Sequence, residues 1–181
     1  MFNKILKVLF ITFCLAGVVY LALPNYAFPA PPPDSLQSQE PADTETPLRR
    51  AYFTNYDRAE VLAWYETQFE EKTILGIKLP AYLLNYPPEE AQTIIRDQTR
   101  SSFLQEVVHP MRESLYINGF EAKSNKDTIL INDKLWHLKI TVRYVTSNVI
   151  VREALFIGTA IMIAVVYNAF RKSLKRNGKK S

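Results

Sequence analysis

Three side chains near the middle of the chain, Glu106, His109 and Glu113, have the types and spacing that a metal ion or an acid–base reaction would use. Residues three and four apart share one face of a helix, so the pattern would offer carboxylates and an imidazole to one ion. Di-iron bundles carry a Glu-x-x-His pair on two helices, and this chain has one copy. We therefore expect a solvated helix face on which Glu113 pairs with Arg112 or a neighbour. A metal or acid–base site, with His137 brought nearby by the fold, is the alternative.

Two further polar groups have both a functional and a structural interpretation. Arg96 and Arg100 lie one helical turn apart beside Asp97, which suits an anion or a lipid headgroup. The same pattern is typical of a solvated face with weak ion pairs, and that is what we expect. Asp57 could act as a base, but Glu60 follows it at the spacing of a helix capping box, so we expect it to cap.

Aromatic side chains are concentrated early in the region between the chain ends. They could line a groove for a carbohydrate or a peptide, but aromatics at helix and strand spacing more often form a core, and we expect a core. The group consists of Tyr52, Phe53, Tyr56, Trp64, Tyr65 and Phe69.

The sequence lacks the motifs of common catalytic and cofactor-binding sites. Its five glycines leave little material for a phosphate-cradling loop, and no serine stands in a nucleophile elbow. The one cysteine, Cys14, lies within an apolar run, where nucleophilic catalysis is implausible. We therefore predict that the protein is not an enzyme and has no catalytic residue, metal site or cofactor.

The elements that must position these residues begin with a strand over residues 48–54 and a helix over residues 57–72. Glycine and proline interrupt residues 73–87, which favours short extended pieces or a loop that covers the core. A second helix is predicted from Pro88, with a break near Ser101.

Apolar residues keep helical spacing from Phe103 to Tyr116, so the second helix is predicted to continue there, kinked at Pro110 and stopped by Asn118 and Gly119. The last elements read as a hairpin.

Strands over residues 127–132 and 135–145 flank a tight turn at Asn132, Asp133 and Lys134. In the second strand one face is predicted to be buried and the other wet. The predicted buried face carries Trp136, Leu138, Ile140, Val142 and Tyr144, and the predicted wet face carries His137, Lys139, Thr141 and Arg143. The fold class predicted is α+β, a small antiparallel sheet packed with two or three helices.

Two apolar segments, residues 8–23 and 154–170, lie near the ends of the chain, each with basic residues on its outer side. A helix needs roughly 17 to 20 apolar residues to cross a bilayer core, so both are short but sufficient. The alternatives for the first are a cleaved signal peptide and a lipoprotein anchor at Cys14. Neither cleavage site has the small residues required, and we expect an uncleaved anchor.

The distribution of charge predicts the orientation of the chain. Six basic residues follow the second apolar segment, two accompany the first, and every acidic residue lies between residues 34 and 153. Lys and Arg favour the cytoplasmic side, so both termini are expected there, with the middle region outside the cell membrane. Because the net charge of +4 comes from the tails, it does not indicate nucleic-acid binding, and we expect anionic lipid at the basic C-terminal tail.

These observations divide the chain into five parts. The Pro-rich part holds seven of the eleven prolines and a polar run, which leaves little to offset the entropy of ordering. Small residues in the two helices, Ala16, Gly17, Gly158, Ala160 and Ala164, would allow close helix contact. The parts are an N-terminal transmembrane anchor (1–23), a disordered tether (24–47), an extracytoplasmic domain (48–148), a C-terminal transmembrane helix (149–170) and a cytoplasmic tail (171–181).

The function predicted from this layout is that of a membrane-anchored, non-catalytic binding or scaffolding module near the bilayer surface. Its partner is the lipid bilayer together with another protein or a second copy of the chain. One alternative is a membrane-surface hydrolase or metal-dependent enzyme that uses Glu106, His109 and Glu113. Another is an accessory subunit of a transporter or secretion complex, in which the membrane helices carry the specificity.

Overall fold

The structure is a computed structural model that describes residues 2–70, 73–74, 76–96, 98, 100–124 and 127–177. The chain forms two compact units. Met1–Pro24 together with Ser147–Ser181 forms one, here called the helical pair, and Asn25–Thr146 forms the other, the central domain. The predicted α+β class, with a long apolar helix at each end of the chain, is confirmed.

The helical pair is built from α1 (Phe2–Ala22) and α3 (Val149–Asn177). Both are long and apolar enough to cross a membrane, over Lys4–Ala22 and Val149–Leu174. Most of their large apolar side chains are exposed, unlike those of a core helix in a soluble protein.

The two helices contact each other through aromatic and small residues. The rings of Phe13 and Phe156 lie with their centroids 6.1 Å apart. The Phe156 ring occupies the space that a Cβ atom on Gly17 would need. Gly17 therefore allows the close approach that was predicted, whereas Gly158 faces open space.

Polar groups cap the facing ends of the two helices. Arg152 donates hydrogen bonds to the carbonyl oxygens of Leu21, at 2.6 Å, and Leu23, which lie at the C-terminal end of α1. The side-chain oxygen of Asn148 accepts hydrogen bonds from the first backbone N–H groups of α3. An arginine at a helix C-terminus satisfies carbonyls that have no partner within the helix.

Six strands of the described chain form one antiparallel sheet, in the order β1-β2-β10-β7-β6-β5. Two short hairpins, β3–β4 and β8–β9, stand outside it. Because β10 pairs with both β2 and β7, the last strand of the domain lies inside the sheet. The strands are β1 (Leu36–Gln37), β2 (Arg49–Thr54), β3 (Thr73–Ile74), β4 (Ile77–Lys78), β5 (Tyr82–Tyr86), β6 (Phe103–Val108), β7 (Ser114–Glu121), β8 (Ile129–Ile131), β9 (Lys134–Trp136) and β10 (Leu138–Val145).

Helix α2 (Arg58–Glu70) packs on one face of this sheet and completes the main core. The predicted capping box fixes its start, since the Asp57 carboxylate accepts from the Glu60 N–H at 2.9 Å and Glu60 reciprocates at 2.8 Å. The aromatic group forms core, as predicted: Tyr52, Tyr65 and Phe69 are buried in it, Tyr56 and Trp64 pack against it, and Phe53 is buried outside it.

A smaller apolar cluster covers part of the opposite face of the sheet. The helix predicted from Pro88 is a 3-10 turn, Pro88–Glu90, followed by a π-helical turn, Gln92–Arg96. It ends where Arg96 adopts a left-handed φ of 71°. The cluster consists of Ala91, Ile95 and Leu104, with Tyr86, Ile94 and Tyr116 packed against it.

The second part of the predicted helix is wrong, because the chain there forms the two strands β6 and β7. Phe103 and Val107 enter the main core, whereas Leu104 between them enters the smaller cluster. A strand buried on both faces has apolar residues at consecutive positions, and such a run also satisfies helical spacing. Asn118 and Gly119, predicted as a helix stop, lie inside β7.

The Pro-rich segment over residues 24–47, predicted as a disordered tether, contains strand β1 and a 3-10 turn. Ser38 donates a hydrogen bond to the buried Asp43 carboxylate at 2.7 Å. The Lys139 ammonium lies 2.8 Å from the same carboxylate and 2.9 Å from that of Glu40. These charge-assisted contacts to the sheet supply the stabilisation that the local composition lacks.

The predicted turn at Asn132 and Asp133 is confirmed, with φ values of 55° and 60° as in a type I′ turn. It joins β8 to β9, whereas the long strand predicted after it is interrupted before β10. The predicted apolar face of β10 is buried, but Thr141 on the predicted wet face is buried as well.

Candidate functional site

The structure separates the three residues that the sequence grouped by helical spacing. His109 and Glu113 lie at the turn between β6 and β7, and Glu106 lies within β6 beside Tyr86 of β5. All three are buried, with His109 and Glu113 at 0% exposure. The expected solvated helix face is therefore wrong.

His109, Arg112 and Glu113 form a buried ion cluster that closes the β6–β7 turn. One oxygen of Glu113 lies 3.0 Å from His109 Nδ1 and accepts a hydrogen bond from Arg112 at 3.2 Å. His109 Nε2 lies 3.2 Å from the Phe69 carbonyl oxygen. A carbonyl oxygen only accepts, so His109 Nε2 is the donor in its contact with Phe69.

The electrostatics of this cluster favour an ionised Glu113. Burial alone would raise the pKa of Glu113, but the hydrogen bond from His109 and the charge of Arg112 outweigh it. The pKa of Glu113 therefore lies below its ordinary value of 4.5. The ion pair with Arg112 and the contact with His109 offset part of the cost of burying this charge.

Aromatic rings and the backbone enclose the cluster. The His109 ring lies 4.9 Å, between ring centroids, from both Tyr26 and Phe69. The backbone N–H of His109 donates to the Glu113 carbonyl oxygen at 3.1 Å, and Met111 within the turn has a left-handed φ of 61°. A cluster so enclosed can fix the turn, but its three buried side chains present no surface to a substrate.

Glu106 belongs to a second polar cluster, with two tyrosines. The Tyr86 hydroxyl donates a hydrogen bond to Glu106 at 2.6 Å, and this bond, with burial, raises the pKa of Tyr86 well above 10.0. Burial and the same carboxylate raise the pKa of Tyr116. The cluster ties β5 to β6 and β7 through neutral phenols.

The remaining predicted residues are scattered. His137 is exposed, and its backbone N–H donates to Asn55. Arg96 pairs with Glu45 at 2.9 Å, whereas Arg100 lies over the Phe120 ring, and Asp97 falls outside the described residues. Within the part of the chain that the structure describes, no group of three His, Cys, Asp or Glu side chains could hold a metal ion.

The exposed sheet edge formed by β5 was not predicted, since residues 73–87 were expected to form short extended pieces or a loop that covers the core. Strand β5 is one edge of the sheet, and among the described strands it pairs with β6 alone. Its Tyr82, Leu83 and Leu84 side chains are 55%, 41% and 42% exposed, and the strand carries no charge. The available signal was an uncharged, apolar run bounded by Pro80 and Pro87. Edge strands of this length normally carry a charge, a proline or a bulge that prevents pairing with another chain.

No family model matches the chain, and comparisons with curated proteins and with solved structures gave no match. The fold and its surfaces are therefore the guides to function. They comprise two polar clusters internal to the domain and one apolar sheet edge that is open.

Proposed function

We propose that this is a two-pass membrane protein whose central domain faces the extracytoplasmic side and acts as a non-catalytic binding or scaffolding module near the bilayer surface. The domain binds a protein partner through the open edge of β5. The observation that carries this proposal is an edge strand of five residues, without charge, that exposes apolar side chains on both faces.

The membrane location is supported by the surface of the helical pair. α1 exposes large apolar side chains from Ile5 to Val19 and α3 from Ile150 to Leu174, and each has a span sufficient for a bilayer core. Apolar surface on this scale is unfavourable in water and favourable in lipid.

The orientation is supported by the basic residues, which favour the cytoplasmic side. Six of them follow residue 170 and would also attract anionic lipid. Each basic residue near the surface contributes ~1 kcal/mol to the free energy of binding to the membrane.

A binding role for the domain is supported by the use that the fold makes of its polar groups. His109, Arg112 and Glu113 satisfy one another in a closed turn, and Glu106 is engaged by Tyr86. Strand β5, in contrast, has no strand partner on its outer side within the described part of the chain, and addition of a strand to such an edge is a common mode of protein recognition.

The test is photo-crosslinking in intact membranes. A benzophenone amino acid replaces Tyr82 in the full chain, and irradiation should give a covalent complex with a protein. Leu84→Lys should abolish the complex, because a lysine in the middle of an edge strand opposes pairing. Leu130→Lys, at an apolar position that is 64% exposed on β8, is the matched control and should leave the complex intact.

Loss of the complex in both lysine variants would indicate a general effect of charge on the domain. Absence of any complex from position 82 in the folded protein would refute binding at β5.

A further inference from the structure

The two edges of the sheet differ in their capacity to accept another strand. β1 is two residues long and leads directly into the buried Ser38. β5 is five residues long and is followed directly by Pro87. A short edge is a poor template for pairing, so β5 is the edge at which a strand can be added.

We infer that the added strand is β5 of a second copy of this chain, paired antiparallel about a two-fold axis at Leu84; this inference rests on the proposed function of β5. A two-fold axis through an antiparallel pair places one residue opposite its own copy. With the axis at Leu84, Tyr82 lies opposite Tyr86 and Leu83 opposite Asn85, so the whole strand is paired.

Neighbouring registers are excluded by the flanking prolines. An axis at Leu83 would place Pro80 in the ladder opposite Tyr86, and an axis at Asn85 would bring in Pro87. Proline has no backbone N–H to donate to a ladder. The register centred on Leu84 is therefore the one that uses all of β5 and no proline.

The side chains of β5 suit self-pairing. Leu84 would lie beside its own copy, and each Tyr82 beside the Tyr86 of the other chain, which covers exposed apolar surface on that face of the sheet. The strand has no charge, so the two copies meet without repulsion.

The flanks of β5 are complementary in charge. The exposed Lys78 precedes the strand, and the exposed Glu89 and Glu90 follow it. Antiparallel pairing about Leu84 brings the beginning of one strand to the end of the other, and Lys78 and Glu90 each lie six residues from Leu84 along the sequence. Opposite charges across paired strands are favourable, and like charges are unfavourable.

The first experiment is disulfide trapping of the full chain in membranes. In a Cys14→Ser background, Leu84→Cys should give a disulfide-linked dimer on mild oxidation. Directly opposite residues of antiparallel strands have Cα atoms about 4.5–5.5 Å apart, within the range that a disulfide spans. Leu130→Cys, more exposed (64% against 42% for Leu84) but on β8, should give at most a tenth of that yield, about the level of random collision. Equal yields from the two positions would overturn the inference.

The second experiment tests the register through charge. Lys78→Glu places like charges at two symmetry-related contacts and should weaken dimerisation about tenfold. Adding Glu90→Lys should restore it. If neither change alters the strength of dimerisation, the register centred on Leu84 is refuted.

The photo-crosslink from position 82, made in cells that express two differently tagged copies, separates this inference from the proposed function. A product that carries both tags supports self-pairing. A product in which one tagged copy is linked to a different protein supports the proposed function and overturns self-pairing. Absence of any product overturns both.

Discussion

At the scale of single residues, the buried ion cluster at the β6–β7 turn is the most demanding feature of the domain. Glu113 is fully buried and touches both His109 and Arg112. Removing one partner of a buried ion pair leaves the other charge without compensation, which costs more than the pair itself contributes.

We therefore expect Glu113→Gln to lower the free energy of unfolding by about 3–5 kcal/mol. Chemical denaturation in mild detergent, followed by tryptophan fluorescence, measures this directly, because both tryptophans, Trp64 and Trp136, lie in the central domain. Glu70→Gln, at an exposed position of α2, is the control and should change stability by less than about 0.5 kcal/mol. An equally small effect of Glu113→Gln would contradict the cluster.

The same carboxylate predicts a dependence of stability on pH. The pKa of Glu113 is lowered in the folded state, so its contribution is complete above the ordinary pKa of 4.5 and is lost as the pH falls through the folded-state value. Denaturation midpoints should fall in acid more steeply for the native sequence than for Glu113→Gln. Parallel pH profiles would show that Glu113 is not ionised in the folded protein.

At the scale of elements, the sequence was most informative where one face of an element is buried and the other is wet. The alternation in β10 could be predicted for this reason, and the capping box at Asp57 and Glu60 could be predicted because its motif is local. The sequence-based prediction was wrong where both faces of an element are buried. Phe103 packs in the main core and Leu104 in the smaller cluster, so the strand shows no alternation of apolar and polar residues.

Long-range contacts account for the other difference. The order of the Pro-rich segment depends on Lys139, which lies about a hundred residues away and reaches Glu40 and Asp43. The exposed edge of β5 likewise follows from the strand order of the sheet, which local patterns do not encode. The pairing of Glu113 with Arg112 was predicted and is confirmed, but the burial of this pair and the contact of His109 with Tyr26 could not be predicted.

The pairing of β6 and β7 makes a prediction at this scale. The Phe103 ring occupies the space that a Cβ atom on Gly119 would need, and these residues are directly paired. Gly119→Ala should lower the free energy of unfolding by about 1–3 kcal/mol, because the core must be overpacked.

The control for this overpacking is a double-mutant cycle with Phe103→Leu, which removes the ring. The combined variant should be less destabilised than the sum of the two single variants by at least about 0.5 kcal/mol. Additive effects, measured by the same fluorescence assay, would contradict the contact.

At the scale of the whole molecule, the chain combines two apolar helices with a domain in which buried charged side chains, among them Glu113 and Asp43, pair with other residues of the same domain. The division of charge between them is the basis for the proposed orientation: the tail after residue 170 holds six basic residues, and the acidic residues lie between residues 34 and 153. The helices themselves do not determine which side the domain occupies, so orientation requires a measurement of its own.

Labelling of single cysteines with a membrane-impermeant maleimide in intact cells provides that measurement. In a Cys14→Ser background, Leu130→Cys in the central domain should be labelled, because positively charged flanks hold both termini in the cytoplasm. Asn3→Cys and Ser181→Cys should be labelled only after the membrane is permeabilised, and intact mass should show that residues 1–23 are retained. Labelling of the termini in intact cells, with Leu130→Cys protected, would reverse the orientation and place the β5 surface in the cytoplasm.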